Sequence, residues 1–264
     1  MNNSAHMLAC PLCDTHFSHF RNSNGDHGIF GHGLDFRVIP RDCNRAADVA
    51  TCPNCFFSSR FQDFGSPVPG QVKELVCSRA YLNIFESQRE DAFQARGWKA
   101  YVSILGAKGL NPRDLGMMSL RASWVARETG FLTTEDELLS LADEYLDDAL
   151  RRGLTKGAPG MVIYLLGEIN RRRREFLRAR EILTFLGNNP QFRYPALLLT
   201  VLIEEEDSTP YWSHYAPDQM ERHSPAFKGL FPALRSIPPK KVEFLPDELQ
   251  EESGQPDEDD RRRS

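Results

Sequence analysis

Two Cys-Pro-x-Cys motifs constrain this chain more than any other feature. They occupy Cys10–Cys13 and Cys52–Cys55, and each places two thiolates on one tight turn. Two such turns supply four sulfur ligands, which form the closed tetrahedral set of a structural zinc site with no position left for water or substrate. The predicted ligands of this single zinc ion are Cys10, Cys13, Cys52 and Cys55, although thiolate sulfur also suits iron.

The segment between the two motifs leaves alternatives for the metal site. It is 38 residues long, which exceeds the common spacing of about 15–20 residues. It also carries four of the seven histidines, so a mixed cysteine–histidine site or a second metal is an alternative. We favour a polar, glycine-rich loop whose imidazoles bind no metal, because four thiolates already satisfy zinc. These histidines are His16, His19, His27 and His32.

The remaining cysteines and the N-terminus bear on the redox state of the thiols. Cys43 is near enough in sequence to approach the metal, whereas Cys77 falls in a helical pattern and is expected to be a small buried hydrophobe. Nothing at the N-terminus resembles a signal peptide, which disfavours disulfides and predicts a cytoplasmic location. No apolar run approaches the ~18 residues of a membrane helix, so no membrane partner is expected. The net charge of −5 argues weakly against bulk binding to nucleic acid.

The chain changes character near residue 66, and this predicts a mainly α fold with a small β-rich, zinc-bound module at the N-terminus. Phe17, Phe20, Phe30 and Phe36 alternate with polar residues and glycines, which is typical of short strands around the metal. From Val72 to Phe85, apolar residues recur at helical spacing. Further on, Asn111-Pro112 marks a helix start, and Thr133–Glu137 is a capping-type entry to a helix that Gly153 ends.

An internal repeat predicts a tetratricopeptide-like antiparallel helical stack. Gly167, Ala179 and Pro190 match the small residue, the close-contact alanine and the terminating proline of that helix–turn–helix signature. Ala142, Leu146 and Ala149 each precede Ala179, Leu183 and Leu186 by 37 residues. We therefore expect repeats at 115–152 and 158–189, with the extra residues in the loop around Gly130, and a third helix from Tyr194 to Glu204. A generic antiparallel helix bundle is the alternative.

These features resemble a bacterial family of uncharacterised proteins, domain of unknown function 2225. The resemblance covers roughly residues 8–205 and rests on Cys10–Cys13, Thr51–Phe57 and Tyr164–Arg172. It implies two Cys-Pro-x-Cys pairs followed by a tetratricopeptide-like region, and it implies no mechanism. The chain departs from the family pattern at Phe56-Phe57, where a glycine followed by an aromatic residue is expected, so the departure concerns the loop beside the second motif and leaves the ligands in place.

The pattern favours a non-enzymatic scaffold that binds a protein partner in the groove of the helical stack. First-helix residues line such grooves, which makes Glu168, Asn170, Arg171 and Arg174 the candidate partner-binding residues. The alternative is nucleic-acid binding by the zinc module and the Arg171–Arg174 cluster. An enzyme is not expected, because the four-thiolate set has no open position and the sequence contains no phosphate-binding loop, nucleophile elbow or His-Glu-x-x-His motif.

The predicted organisation has four parts. A zinc module spans 1–66 and a helical domain spans 67–205. An irregular, proline-rich segment follows over 206–246, and we expect its aromatic stretch Tyr211–Tyr215 to cap the stack; a partner-anchoring motif is the alternative. The tail over 247–264 holds eight acidic residues between Asp247 and Asp260 and is expected to be disordered.

Overall fold

The computed structural model describes residues 3–22, 29–40, 45–86, 93–186, 189 and 191–210. The strands are β1 (Asn3–Ala9), β2 (His16–Asn22), β3 (Ile29–His32), β4 (Val38–Pro40), β5 (Val49–Thr51) and β6 (Ser58–Arg60). The helices are α1 (Gly70–Val76), α2 (Arg79–Leu82), α3 (Phe93–Ala107), α4 (Pro112–Glu128), α5 (Leu132–Arg151), α6 (Pro159–Arg172), α7 (Phe176–Thr184) and α8 (Arg193–Glu204). The mainly α fold with a small N-terminal β module is confirmed. The expectations for His27, Cys43, Pro190, the segment from 211 to 246 and the tail lie outside the described residues, as does the side chain of His32.

The N-terminal part contains three antiparallel two-stranded sheets, β1–β2, β3–β4 and β5–β6. In the first, residue pairs run from Asn3 opposite Asn22 to Ala9 opposite His16. Alternation turns Leu8 and Phe17 inward to a core, whereas Met7 and Phe20 face solvent. The turns of β1–β2 and β5–β6 each contain one Cys-Pro-x-Cys motif, so the predicted hairpins around the candidate metal site are present.

The helical pattern from Val72 to Phe85 forms two short helices rather than one. The first, α1, ends at Val76, and Ser78 then caps α2 by accepting a hydrogen bond from the Tyr81 backbone N–H. Cys77 lies in the break between them and is exposed. The expectation that Cys77 is buried is therefore wrong, because the helix that would have placed it on an apolar face stops one residue earlier.

Two glycines allow the paired helices to pack closely. A Cβ atom at Gly167 of α6 would lie 2.6 Å from Cδ2 of Leu183 on α7, and one at Gly116 of α4 would lie 2.6 Å from Cγ of Leu146 on α5. Leu146 and Leu183 are the residues that the 37-residue offset matched, so the two helix pairs share one close contact. Gly116 is the first-helix partner that the sequence analysis missed.

The two pairs also share their turn. Residues 129–131 connect α4 to α5 and residues 173–175 connect α6 to α7, and Gly130 and Arg174 hold the same place at φ +81° and +64°. Each turn is closed by a backbone hydrogen bond to the residue five positions earlier. Phe131 N–H donates to Ala126 O, and Glu175 N–H donates to Asn170 O. The turns are equal in length, so the loop around Gly130 does not hold the extra residues of the first repeat.

Those extra residues lengthen the helices instead. Beyond its glycine contact α4 continues for twelve residues, whereas α6 continues for five. Likewise, α5 starts fourteen residues before Leu146, whereas α7 starts seven before Leu183. On the turn side of the glycine–leucine contact, each helix of the first pair is thus longer by seven residues, about two turns. The predicted entry at Thr133 is also displaced, because α5 begins at Leu132 without a side-chain cap.

The third predicted helix, α8, is present and closes one side of the stack. Its residues Leu198, Leu199 and Leu202 join the core formed by α4 to α7. The same core receives Phe36, from the loop before β4, whose ring centroid lies 5.0 Å from that of Tyr164 on α6. Phe36 was expected near the metal and is instead part of the helical core.

Candidate metal centre

The first Cys-Pro-x-Cys motif is shaped by two backbone hydrogen bonds. The Cys10 N–H donates to Thr15 O and the Asp14 N–H donates to Cys10 O, both at 3.0 Å. Asp14, the residue after the second thiol, adopts φ +55°. A left-handed residue at this point reverses the chain within five residues, which brings both thiols of the motif to the same side of the turn.

The second motif repeats this geometry. The Cys52 N–H donates to Phe57 O at 2.9 Å, the Phe56 N–H donates to Cys52 O at 3.0 Å, and Phe56 adopts φ +62°. A glycine fits this conformation without strain, which agrees with the glycine that the resemblance led us to expect at this position. In this chain, stacking of the Phe56 ring on Phe85 at a centroid distance of 4.5 Å and a 2.8 Å bond from the Tyr81 hydroxyl to Phe56 O hold the same turn.

The two turns bring all four thiols together. Every pair of sulfur atoms among Cys10, Cys13, Cys52 and Cys55 lies within 4.8 Å. The closest pairs join opposite motifs, with Cys10 Sγ 3.5 Å from Cys55 Sγ and Cys13 Sγ 3.6 Å from Cys52 Sγ. A regular tetrahedron with Zn–S bonds of about 2.3 Å has S···S edges of about 3.8 Å. The spacing therefore fits one four-coordinate ion, and the thiols are free rather than bonded as disulfides.

Burial makes two of the four thiols costly to ionise without a metal. Desolvation raises the pKa of the Cys10 and Cys55 thiols above the ordinary value. Burial acts the same way on Cys13, but hydrogen bonds with the side chain and backbone of Thr15 outweigh it and lower the pKa to about 6. A divalent cation at the centre would favour the thiolate form of all four, since a coordinating thiol loses its proton. The four thiols can hold an ion without leaving a coordination position open.

The described histidines take no part in the site. His19 uses Nε2 in a 2.7 Å hydrogen bond with Ala47 O, and its ring stacks on Phe61 at 5.5 Å. His16 lies on the exposed face of β2. Within the described ranges, the four cysteines are the one group of three or more His, Cys, Asp or Glu residues close enough to share a metal ion.

The thiols sit in a core that extends well beyond the hairpins. Cys10 and Cys52 are buried together with Val72 of α1, Tyr81 of α2 and Ile104 of α3. Apolar packing is thus continuous across the predicted boundary at residue 66. A metal bound here would fix the two hairpins against the first three helices.

Three of the four predicted partner-binding residues are buried. Glu168, Asn170 and Arg171 are at most 1% exposed, so the expectation that they line a free surface is wrong. Their functional groups are used internally. The Arg171 guanidinium contacts both Glu168 carboxylate oxygens at 2.7 and 2.8 Å, and Asn170 Nδ2 donates to Asp143 at 2.6 Å. Every residue from Tyr164 to Arg171 is buried, because α6 is covered on all sides.

The remaining arginines of the cluster are mostly neutralised as well. Arg172 pairs with Glu135 at 2.6 Å, and Arg173 pairs with Glu175 at 3.0 Å. Arg174 is exposed. Within the run Arg171–Arg174 one cation is therefore exposed, and this run gives the nucleic-acid hypothesis little support.

A second buried arginine, missed in the sequence, ties the N-terminal part to the helices. Arg127 holds the place in its turn that Arg171 holds in the other, three residues before the left-handed residue. It pairs with Asp35 and with Glu135, each at 2.9 Å. Burial opposes ionisation of Asp35, but Arg127 outweighs it and lowers the pKa of that carboxyl. No local signal reveals a pair separated by 92 residues.

No helix in the described part of the chain combines the length and the apolar character that crossing a membrane requires. The model of a family described as "Uncharacterized protein conserved in bacteria (DUF2225)" matches residues 4–205. No curated protein and no solved structure matches the chain.

Proposed function

Because the chain belongs to this family of uncharacterised proteins conserved in bacteria, we propose from its own geometry that it is a non-enzymatic, zinc-stabilised scaffold for a protein partner. The helical pairs would form a short tetratricopeptide-like stack, and the four-thiolate site would hold the N-terminal hairpins to it. The observation that carries the proposal is a difference between the two helices of each pair. The first helices, α4 and α6, are largely buried, whereas the second helices, α5 and α7, each have an exposed side.

A structural zinc ion is supported by the donor set and its surroundings. Four sulfur ligands with tetrahedral spacing suit zinc and leave no position for a substrate. Two of them, Cys10 and Cys52, are almost inaccessible to solvent. Zinc here would supply folding free energy to the hairpins and to α1, α2 and α3.

The exposed side of α5 is the surface we assign to the partner. Asp136 and Glu144 lie eight residues apart on it, and both are exposed, as is Leu132 at the start of the helix. Residues at this spacing share one ridge of a helix. Leu132 lies beside the carboxylates of Glu144 and Asp136, the latter 3.8 Å from Arg173. An apolar side chain beside two carboxylates fits a basic protein segment, and the carboxylates repel nucleic acid.

The test is capture of partner proteins by the full chain and by two surface variants. One variant changes the α5 surface, and the other changes the exposed arginine at the α6–α7 turn. Asp136→Lys with Glu144→Lys reverses the charge of the α5 surface, and Arg174→Glu reverses the exposed cation at the α6–α7 turn. We expect the double variant to lose its captured proteins while the Arg174 variant keeps them. Zinc content and helicity should stay unchanged in both.

Three outcomes contradict the proposal. Loss of capture in the Arg174 variant alone would assign an acidic partner to the turn. Capture that disappears on nuclease treatment would favour nucleic acid. Capture that needs only residues 1–65 would make the zinc module the binding element and the helices a support.

A further inference from the structure

The outer side of α7 carries two large apolar side chains in solvent. Leu177 is 76% exposed and Phe185, directly after the helix, is 77% exposed. They are eight residues apart, on the same ridge as Glu181, which corresponds to about 12 Å along the helix axis. Two large apolar side chains this close, with the exposed Glu181 between them, leave apolar area on one side of α7 that a further chain segment could cover. We refer to Leu177 and Phe185 together as the α7 apolar pair.

The chain leaves its described part next to the start of α7. Arg171 donates to Thr209 O at 2.9 Å and also to Asp207 O, and Arg172 donates to Ser208 O at 2.9 Å. Both arginines lie in the last turn of α6, and α7 starts after a three-residue turn. These hydrogen bonds therefore hold the segment 207–209 at the same end of the stack as Leu177.

We propose that the aromatic segment Tyr211–Tyr215 of this chain docks on the α7 apolar pair. The segment begins two residues after the bound carbonyl of Thr209, so it starts near the first turn of α7. Extended over five residues it spans at most about 17 Å, which covers the ~12 Å from Leu177 to Phe185. Two tyrosines and Trp212 supply large rings with polar groups at their edges, which suits two apolar side chains with the exposed Glu181 carboxylate between them.

Charge complementarity supports an occupant from the same chain. Arg174 and Arg180 lie exposed on either side of Leu177 in the sequence, and within the described residues neither pairs with a carboxylate. The C-terminal tail carries eight acidic residues between Asp247 and Asp260. This tail begins 32 residues after Tyr215, so its attraction to the two exposed cations is long-range and adds to the apolar contact of the docked segment. With the α7 apolar pair covered, the exposed side of α5 remains for a partner.

Trp212 provides a direct test in the full-length, metal-loaded protein. The other two tryptophans, Trp98 and Trp124, are buried, so subtracting the spectrum of a Trp212→Phe variant isolates the emission of Trp212. We expect this emission to be blue-shifted and quenched by acrylamide several-fold less than in a free peptide of residues 207–220. Leu177→Ser with Phe185→Ser should return both properties to those of the peptide. Met7→Ser with Phe20→Ser, which changes two exposed apolar residues on the β1–β2 hairpin, should leave them unaltered.

Each other outcome overturns the proposal. Peptide-like quenching of Trp212 in the parent protein would show that the segment is not docked. Protection that survives the Leu177 and Phe185 changes would place it on another surface. Protection that is lost on dilution, in step with a change from dimer to monomer in sedimentation, would assign the α7 apolar pair to a second copy of the chain. Circular dichroism and zinc content of each variant verify that the fold is intact.

Discussion

At the scale of single residues, non-glycine residues occupy left-handed turns where glycine would be unstrained. Asp14 and Phe56 do so after the two cysteine motifs, and Arg174 does so between α6 and α7. The equivalent turn of the first helix pair has Gly130. Phe56 is held there by its ring contact and by hydrogen bonds to its carbonyl, whereas the Arg174 side chain is exposed. The strain at Arg174 is thus more easily relieved than the strain at Phe56.

Arg174→Gly should therefore stabilise the protein. Release of left-handed strain exceeds the added freedom of glycine in the unfolded chain, which leaves a gain of about 0.5–1 kcal/mol. The matched control is Arg180→Gly, exposed inside α7, which should lose about 1 kcal/mol. Urea denaturation at constant m-value measures both. A lower midpoint for Arg174→Gly would mean that its side chain contributes a contact greater than the backbone strain.

At the residue scale the metal site gives a second prediction. Cys52→Ser should remove the stoichiometric metal, since three thiolates leave one corner of the tetrahedron open to water. Because Cys52 is buried with Val72, Tyr81 and Ile104, the amides of α1 to α3 should lose exchange protection together with the hairpins, while those of α5 and α6 keep it. Cys77→Ser, at an exposed thiol outside the site, should change neither. Elemental analysis that finds no metal in reductant-treated wild-type protein would contradict the site.

At the scale of secondary-structure elements, one glycine–leucine contact is used twice. Gly116 and Gly167 lie against Leu146 and Leu183 at nearly equal distances, although the first pair of helices is about two turns longer at its turn end. The repeated unit is thus the contact where the two helices cross, together with the turn that joins them. The length of helix between the contact and the turn differs by about two whole turns from one pair to the other. Whole turns preserve the face that meets the neighbour, which explains why a seven-residue extension is tolerated in each helix.

Gly167→Ala and Gly116→Ala should both destabilise the protein. The added methyl group would meet a buried leucine at less than 3 Å in each case, and overpacking of this kind costs about 1–3 kcal/mol. Gly106→Ala is the control, because a Cβ there would meet nothing within 4 Å and alanine favours a helix. The midpoint of thermal unfolding should fall for the Gly167 and Gly116 variants and should not fall for the Gly106 variant. Unchanged stability of Gly167→Ala would show that the helices separate at no cost.

At the scale of the whole molecule, buried ion pairs join segments that are distant in sequence. Arg127 links the loop of Asp35 to α5 through Glu135, and Arg171 links α6 to the carbonyls of 207 and 209. Each arginine has a carboxylate and sits at the closing turn of one helix pair. The non-helical segments before β4 and after α8 are held to the stack in the same way.

Asp35→Asn should lower stability and change its pH dependence. The pKa of Asp35 is lowered in the folded state, so its contribution is present above the unfolded value of about 3.9 and is lost as pH falls through the folded pKa. At pH 7 the variant should lose about 1–3 kcal/mol, because Arg127 keeps Glu135 but forfeits one buried partner. The difference from wild type should shrink below about pH 4. Asp147→Asn, in an exposed i,i+4 pair with Arg151, should change stability by less than about 1 kcal/mol at any pH. Equal loss at pH 3 and pH 7 would show that the charge of Asp35 is irrelevant.

Local chemistry in the sequence determined the candidate metal ligands, the helical class and several helix ends. Cys-Pro-x-Cys forms a turn through its own backbone bonds, Asn111 caps the helix that follows it, and Gly153 ends another, so neighbouring residues suffice for these features. The 37-residue offset also found the equivalent leucines of the two helix pairs, because a close helix contact needs particular side-chain sizes at fixed spacing.

Only the tertiary structure decided which polar residues are free. Arg171 and Arg174 look alike in a run of four arginines, yet one is buried against Glu168 and the other is exposed. Burial of a charge depends on what packs over it, here chain segments from residues 33–37 and 207–209 that the sequence places far from α6. Three candidate partner residues were therefore wrongly expected on the surface, whereas the four thiols that could hold a metal ion were found, since thiol positions are set within a turn and exposure is set by long-range packing.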